Sequence, residues 1–180
     1  MGNEITFTDK TRTGVTHHAY DKLKRRTLTT DPLVGTFTVT YDANGNVTSR
    51  TDQNGNATTL TYDRRNLLIT EEDPATFAIH HEYDGNGNRT AFVDQAGFRR
   101  TFVYDALNRK VAETDAETAE TTWVYDANGN ETSMTDAEGF AWTKTWDARN
   151  RLLTQIDPLT NTKSFLYDKA GNLIRFTDER

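Results

Sequence analysis

One dipeptide returns every 21 residues along nearly the whole of this 180-residue chain. It stands at Tyr20-Asp21, Tyr41-Asp42, Tyr62-Asp63, Tyr83-Asp84, Tyr104-Asp105, Tyr125-Asp126 and Tyr167-Asp168, and Trp146-Asp147 fills the remaining slot. A second Asp column falls at 31, 52, 73, 94, 115, 136, 157 and 178 with the same spacing. Two columns held in phase without insertion define a repeat array, in which each unit stacks on its neighbours. The repeats span 15–180 as eight units. Residues 1–14 fit the period poorly and are expected to form an irregular lead-in or a degenerate repeat, with a strand over Glu4 to Thr8.

Each unit reads as two strands and two turns. Tyr41-Asp42-Ala43-Asn44-Gly45-Asn46 is a run of turn formers, because Asn and Gly tolerate the left-handed backbone and Asp bonds its own local N–H groups. Val47 to Thr51 then reads as a strand, Asp52-Gln53-Asn54-Gly55-Asn56 as a turn, and Ala57 to Tyr62 as the returning strand. Pro32, Pro74 and Pro158 all follow the second Asp column, where a turn accepts the missing N–H. Two residues before each aromatic stand His18, Val39, Leu60, His81, Phe102, Trp123, Lys144 and Phe165, whereas the position before that is mostly Thr. This alternation predicts a sheet with one face richer in large groups, interrupted on the other by Glu82, Val103, Val124 and Leu166. Helical periodicity is absent.

The fold class that follows is all-β: a continuous antiparallel meander of hairpins, about sixteen strands long. At roughly 4.8 Å per strand this is a strip on the order of 75 Å, which strand twist makes coil or curl. Its open edges predict self-association, or capping by residues 1–19 at one end.

Composition narrows the partners. A formal charge of -6 and a pI of about 5.2 argue against a general nucleic-acid surface. No apolar run approaches the ~20 residues that span a bilayer, so neither membrane insertion nor a signal peptide is expected within this chain. With no Cys, disulfides, thiolate metal sites and Cys nucleophiles are excluded together.

The Tyr-Asp-x-x-Gly-Asn/Arg pattern followed by a Thr-Asp-x-x-Gly turn closely resembles the YD repeats of the RHS (rearrangement hotspot) family. Tyr41-Asp42-Ala43-Asn44-Gly45-Asn46 and Tyr104-Asp105-Ala106-Leu107-Asn108-Arg109 carry the resemblance, which extends over about residues 15–180. Such repeats occur in bacterial RHS polymorphic toxins, the B and C components of insecticidal toxin complexes, wall-associated toxins and animal teneurins. The resemblance implies a long β-strip wound into a hollow shell, which in the bacterial toxins holds a C-terminal toxic polypeptide. It also implies a parent protein that is secreted or displayed at the cell surface. The Asp-Pro-x-Gly-Leu-type sequence of the family's self-cleaving core does not stand here, since Asp31-Pro32-Leu33, Asp73-Pro74-Ala75 and Asp157-Pro158-Leu159 are repeat turns. The sequence therefore reads as an excised segment or a short array.

Candidate chemistry is weak. Asp42-x-Asn44-x-Asn46 imitates the opening of a calcium loop but lacks the downstream bidentate Glu. Equivalent Asp residues two strands apart lie roughly 9.5 Å from one another, too far to share an ion. His17-His18 and His80-His81 point to opposite faces of a strand, so neither pair makes a joint chelate. Ser133 and Ser164 have no triad partners, and Gly85-x-Gly87 opens no helix that could cradle a phosphate. No catalytic residue, metal ligand or cofactor site is therefore assigned, and the Tyr-Asp columns are expected to be a structural motif. The expected function is a non-catalytic wall segment that encloses or displays an effector polypeptide. The alternative is a cell-surface adhesion or carbohydrate-binding module, with Trp123 and Trp142 as the stacking residues.

Overall fold

The structure is a computed structural model that describes residues 4–8, 15–31 and 33–179. Pro32 and most of the lead-in segment lie outside the described residues. Among those described there are seventeen strands and no helix, and hence no helix long and apolar enough to cross a membrane. The chain divides into two compact units, residues 1–82 with 92–97, and residues 83–91 with 98–180.

The first unit contains β1 (Glu4–Thr8), β2 (Val15–Tyr20), β3 (Arg26–Asp31), β4 (Gly35–Tyr41), β5 (Val47–Thr51), β6 (Ala57–Tyr62), β7 (Leu68–Glu72) and β8 (Ala78–Tyr83). Each pairs antiparallel with the next. The last residue of β8, Tyr83, belongs to the second unit, and β9 (Arg89–Val93) likewise has residues in both. The second unit continues with β10 (Arg99–Tyr104), β11 (Lys110–Thr114), β12 (Glu120–Tyr125), β13 (Glu131–Thr135), β14 (Ala141–Trp146), β15 (Leu152–Ile156), β16 (Thr162–Tyr167) and β17 (Leu173–Glu179). These too pair antiparallel in chain order. The sixteen strands of the repeats are β2 to β17. The lead-in strand β1 lies against β2, with Ile5 opposite His18 and Phe7 opposite Thr16.

The two kinds of turn leave different registers. In the Asp73 hairpin the pairing is continuous, with Glu71 opposite Ile79 and Glu72 opposite Ala78. Beside the Tyr41-Asp42 turn it slips by one residue: Thr40 faces Ser49 but Tyr41 faces Val47. The same slip recurs before Tyr62, Tyr125 and Trp146. One extra residue on the outgoing strand is a β-bulge, which locally increases twist.

Each unit is essentially a single layer. The buried hydrophobic residues among those described are Leu60 (5% exposed), Ala91 (1%) and Ala112 (8%). One face of the second unit carries Phe102 opposite Glu113, Trp123 opposite Met134, and Phe165 opposite Phe176. The other carries Val103 opposite Ala112, Val124 opposite Ser133, and Thr145 opposite Thr154. Val103 and Val124 are more than half exposed, so the apolar residues that interrupt the Thr face are left open. With so little core, cross-strand neighbours carry the stability, at roughly 0.2–1 kcal/mol per favourable pair.

Candidate functional site

The Tyr-Asp columns place one carboxylate at every second turn of the array. Every Tyr-Asp pair straddles the end of a strand: the aromatic closes β2, β4, β6, β8, β10, β12, β14 or β16, and the Asp opens the turn. In the Asp126 turn, Asp126 N–H donates to the Asn130 carbonyl at 2.9 Å and Gly129 N–H to the Asp126 carbonyl at 3.1 Å. Oδ1 of Asp126 accepts from the N–H groups of Asn128 and Asn130, both at 2.9 Å, and Oδ2 accepts from Asn130 Nδ2 at 2.9 Å. The Asp105 turn is built alike, but there Oδ2 accepts from Arg109 Nε at 2.7 Å.

These are three-residue loops, a type I turn followed by one left-handed residue. Outside the Asp31 turn that residue is the third after the Asp, for example Gly45 (φ 97°), Asn66 (φ 64°), Asn108 (φ 61°) and Thr118 (φ 69°). A two-residue Asn-Gly loop would need two left-handed residues, whereas these turns use one. Asn44 and Asn128 lie outside the left-handed region. The longer loop is held by the Asp carboxylate, which accepts from the N–H groups two and four residues on. The Asp31 turn differs, with Gly35 as its left-handed residue at φ 113°.

Hydrogen bonding draws the Tyr-Asp carboxyls down. The carboxyls of Asp42, Asp84, Asp126 and Asp168 are held below the ordinary carboxylate value, chiefly by the side-chain amide of the Asn four residues on. Those of Asp21, Asp63, Asp105 and Asp147 are lowered chiefly by the backbone N–H four residues on. Asp52, in the second column, is lowered by the Asn56 amide. Such groups are poor proton acceptors and have both oxygens engaged.

Neighbouring Tyr-Asp turns are also joined to each other, by two kinds of contact. Arg25 pairs with Asp21, donates from Nη1 to the Asp42 carbonyl at 3.0 Å, and lies 4.5 Å over the Tyr41 ring. Arg109 does the same to Asp126 and Tyr125, and Arg151 to Asp168 and Tyr167. In the other kind, Asn46 Nδ2 donates to Asn66 Oδ1 at 2.8 Å, Asn88 to Asn108 at 2.7 Å, and Asn130 to Asn150 at 2.9 Å. The aromatic polar groups are tied as well. Tyr41 Oη donates to the Arg26 carbonyl at 3.0 Å, Tyr125 Oη to the Lys110 carbonyl at 3.1 Å, and Trp146 Nε1 to the Glu131 carbonyl at 2.8 Å.

The Arg and Asn joints were missed by the reading of columns, yet their signal is present. The fourth residue after the Tyr-Asp Asp runs Arg25, Asn46, Leu67, Asn88, Arg109, Asn130, Arg151, Asn172, an alternation with a 42-residue period. Leu67 departs from it, and Arg65 supplies the ion pair to Asp63 at 2.9 Å.

The histidines fall on opposite faces. His18 shares a hydrogen bond with Thr29 Oγ1 at 3.0 Å, His80 one with Thr70 at 3.3 Å, and the His81 ring lies 5.6 Å from that of Phe92. Among the described residues no group of three His, Cys, Asp or Glu could hold a metal ion. The hollows are shallow. One of about 640 Å³ in the first unit is lined by Phe37, Val39, Arg50, Thr58 and Pro74. One of about 210 Å³ in the second unit is lined by Trp142, Gln155, Asp157, Asn161 and Lys163. Trp123 has Lys110 Nζ 4.2 Å over its ring.

Comparison with curated proteins gives no match. Among solved structures, the chain resembles the Photorhabdus luminescens Tc holotoxin pore at 16% identity, with a TM-score of 0.64 over 91% of this chain and 10% of that one. It resembles the TcdB2-TccC3 complex at 16% identity and TM-score 0.65, over 91% of this chain and 11% of the other. The same complex without its hypervariable C-terminal region matches at 14% identity and TM-score 0.64, over 97% and 12%. The chain thus spans about a tenth of those chains and shares their fold. The RHS Repeat family model matches residues 41–78, 83–120 and 125–162. Three matched stretches, each opening on a Tyr-Asp turn of the geometry described, identify the chain as a member of the RHS repeat family.

Proposed function

We propose that the chain is a non-catalytic wall segment of an exported or surface-displayed bacterial protein, and that the wall encloses or displays an effector polypeptide. In this reading the Tyr-Asp pairs of residues 15–180 are structural, and the eight repeats form one array led by residues 1–14. The observation that carries it is the state of the Tyr-Asp carboxylates. In turn after turn both oxygens accept hydrogen bonds from the turn itself, so these carboxylates are committed to holding the backbone. The shared fold with toxin-complex chains, together with RHS membership, supports a role in a shell.

Limited proteolysis of the parent protein tests it. The effector should resist digestion when the repeats are intact and become digestible when Asp105→Ala and Asp126→Ala open the wall. An effector cleaved equally fast in both proteins contradicts the proposal.

A carbohydrate-binding module is the second reading, and the Trp142 hollow favours it, because an aromatic ring there stands beside the amides of Gln155 and Asn161. Trp123 is less suited, since Lys110 already covers its ring. Glycan-array binding that disappears in Trp142→Ala supports this reading, and an array with no bound glycan removes it.

A further inference from the structure

The two joints between Tyr-Asp turns make different demands on the turn that receives them. An Arg joint lands on a turn whose left-handed residue is Gly. A Cβ added to Gly45, Gly129 or Gly171 would stand 3.8, 4.0 or 3.8 Å from the guanidinium Nη1 of Arg25, Arg109 or Arg151. That is van der Waals contact, so in these turns the left-handed residue lies directly against the guanidinium, and Gly is the residue found there. An Asn joint lands on a turn whose left-handed residue is itself Asn, because the donated N–H needs the Oδ1 of Asn66, Asn108 or Asn150. Gly offers no such oxygen.

We propose that this is a recognition code between turns, and that the Asp168 turn is a docking surface for a further hairpin whose turn reads Asp-x-x-Asn-Arg. Asn172 Nδ2 donates to Asp168 Oδ2 at 2.9 Å, as the equivalent Asn130 does to Asp126. Asn130 also donates to the next turn, and Asn172 presents the same amide to whatever lies beside β17. The code admits a turn such as Asp147-Ala148-Arg149-Asn150-Arg151 and rejects one such as Asp168-Lys169-Ala170-Gly171-Asn172. It also rejects a second copy of this chain docking by its first turn. There Lys24 holds the left-handed position, and an ammonium donates hydrogen bonds but accepts none. The partner is thus further repeat chain in the correct 42-residue phase. The inference rests on contacts within each unit and is independent of the proposed function.

Two extended proteins test it, each keeping the full chain. One duplicates residues 131–172 after Asn172, which places an Asn-Arg turn beside the Asp168 turn. The other duplicates 152–172, which places a second Gly-Asn turn there. Matched repeats add nearest-neighbour contacts, so the first should melt several degrees above the parent and the second should not. A 21-residue extension that gains half as much as the 42-residue one overturns the code, as does a 42-residue extension with no gain. Within the parent, Asn150→Gly suits the backbone at φ 59° but removes the acceptor, and its Tm should fall by about 2–4 °C. Asn150→Asp keeps the oxygen and should retain the parent Tm. An Asn150→Gly protein as stable as the parent also overturns the proposal.

Discussion

The guanidinium of Arg109 lies 4.8 Å from the centre of the Tyr125 ring. The same group pairs with Asp105 at 2.6 Å and donates to the Asp126 carbonyl at 3.0 Å, so one side chain ties two turns and an aromatic together. Arg109→Ala removes a hydrogen bond to a carbonyl and a cation–π contact, and should cost about 1–2 kcal/mol. Arg109→Lys should recover little, because an ammonium lacks the planar fork that meets all three partners. Urea unfolding of both variants checks this, and a Lys variant equal to the parent would count against the geometry.

Tyr125→Phe keeps the ring under Arg109 and removes only the bond from Oη to the Lys110 carbonyl. The expected loss is about 0.5–1.5 kcal/mol, and Tyr41→Phe should behave alike. An effect near zero at both sites would show that these hydroxyls are equally well solvated in the unfolded chain.

Acid should loosen the array from its Tyr-Asp edge. Their carboxyls lie below the ordinary value because turn N–H groups and Asn amides bond the charged form. The stability they contribute is complete above the unfolded value of about 3.9 and is lost as pH falls through the lower folded values. Thermal midpoints should therefore match at pH 5 and pH 7 and drop below about pH 4. A midpoint that falls between pH 7 and pH 5 contradicts this assignment.

Much of the fold was legible from Tyr41-Asp42 and its copies, because a fixed period with turn formers at fixed offsets leaves the hairpin as the one repeating unit that fits. The strand at Glu4 to Thr8 was legible from local composition and is present as β1. The turn conformation was not. Asn44-Gly45 marks a turn without fixing its loop length, which the Asp42 side chain sets by capping the N–H of Asn46. The alternation of Arg109 with Asn130 was hidden because the Tyr-Asp columns repeat at half its period. Its meaning depends on which turn lies beside which, and that comes from three-dimensional placement.

Thr118 occupies the left-handed position at φ 69°, where a β-branched residue is disfavoured. Relief of that strain, less the greater entropy of Gly in the unfolded chain, should make Thr118→Gly more stable by about 0.5–1 kcal/mol. Thr76 and Thr160, at φ 68° and 69°, should respond similarly. Denaturant midpoints measure it, and destabilisation at all three sites would contradict the turn assignment.

Residue-resolved hydrogen exchange tests the account most directly. If Asp carboxylates build the array, the N–H groups of Asn46, Leu67, Asn88, Arg109, Asn130, Arg151 and Asn172 should all be protected, a maximum recurring every 21 residues. Turn amides that exchange as fast as free peptide, or protection without that period, would contradict it.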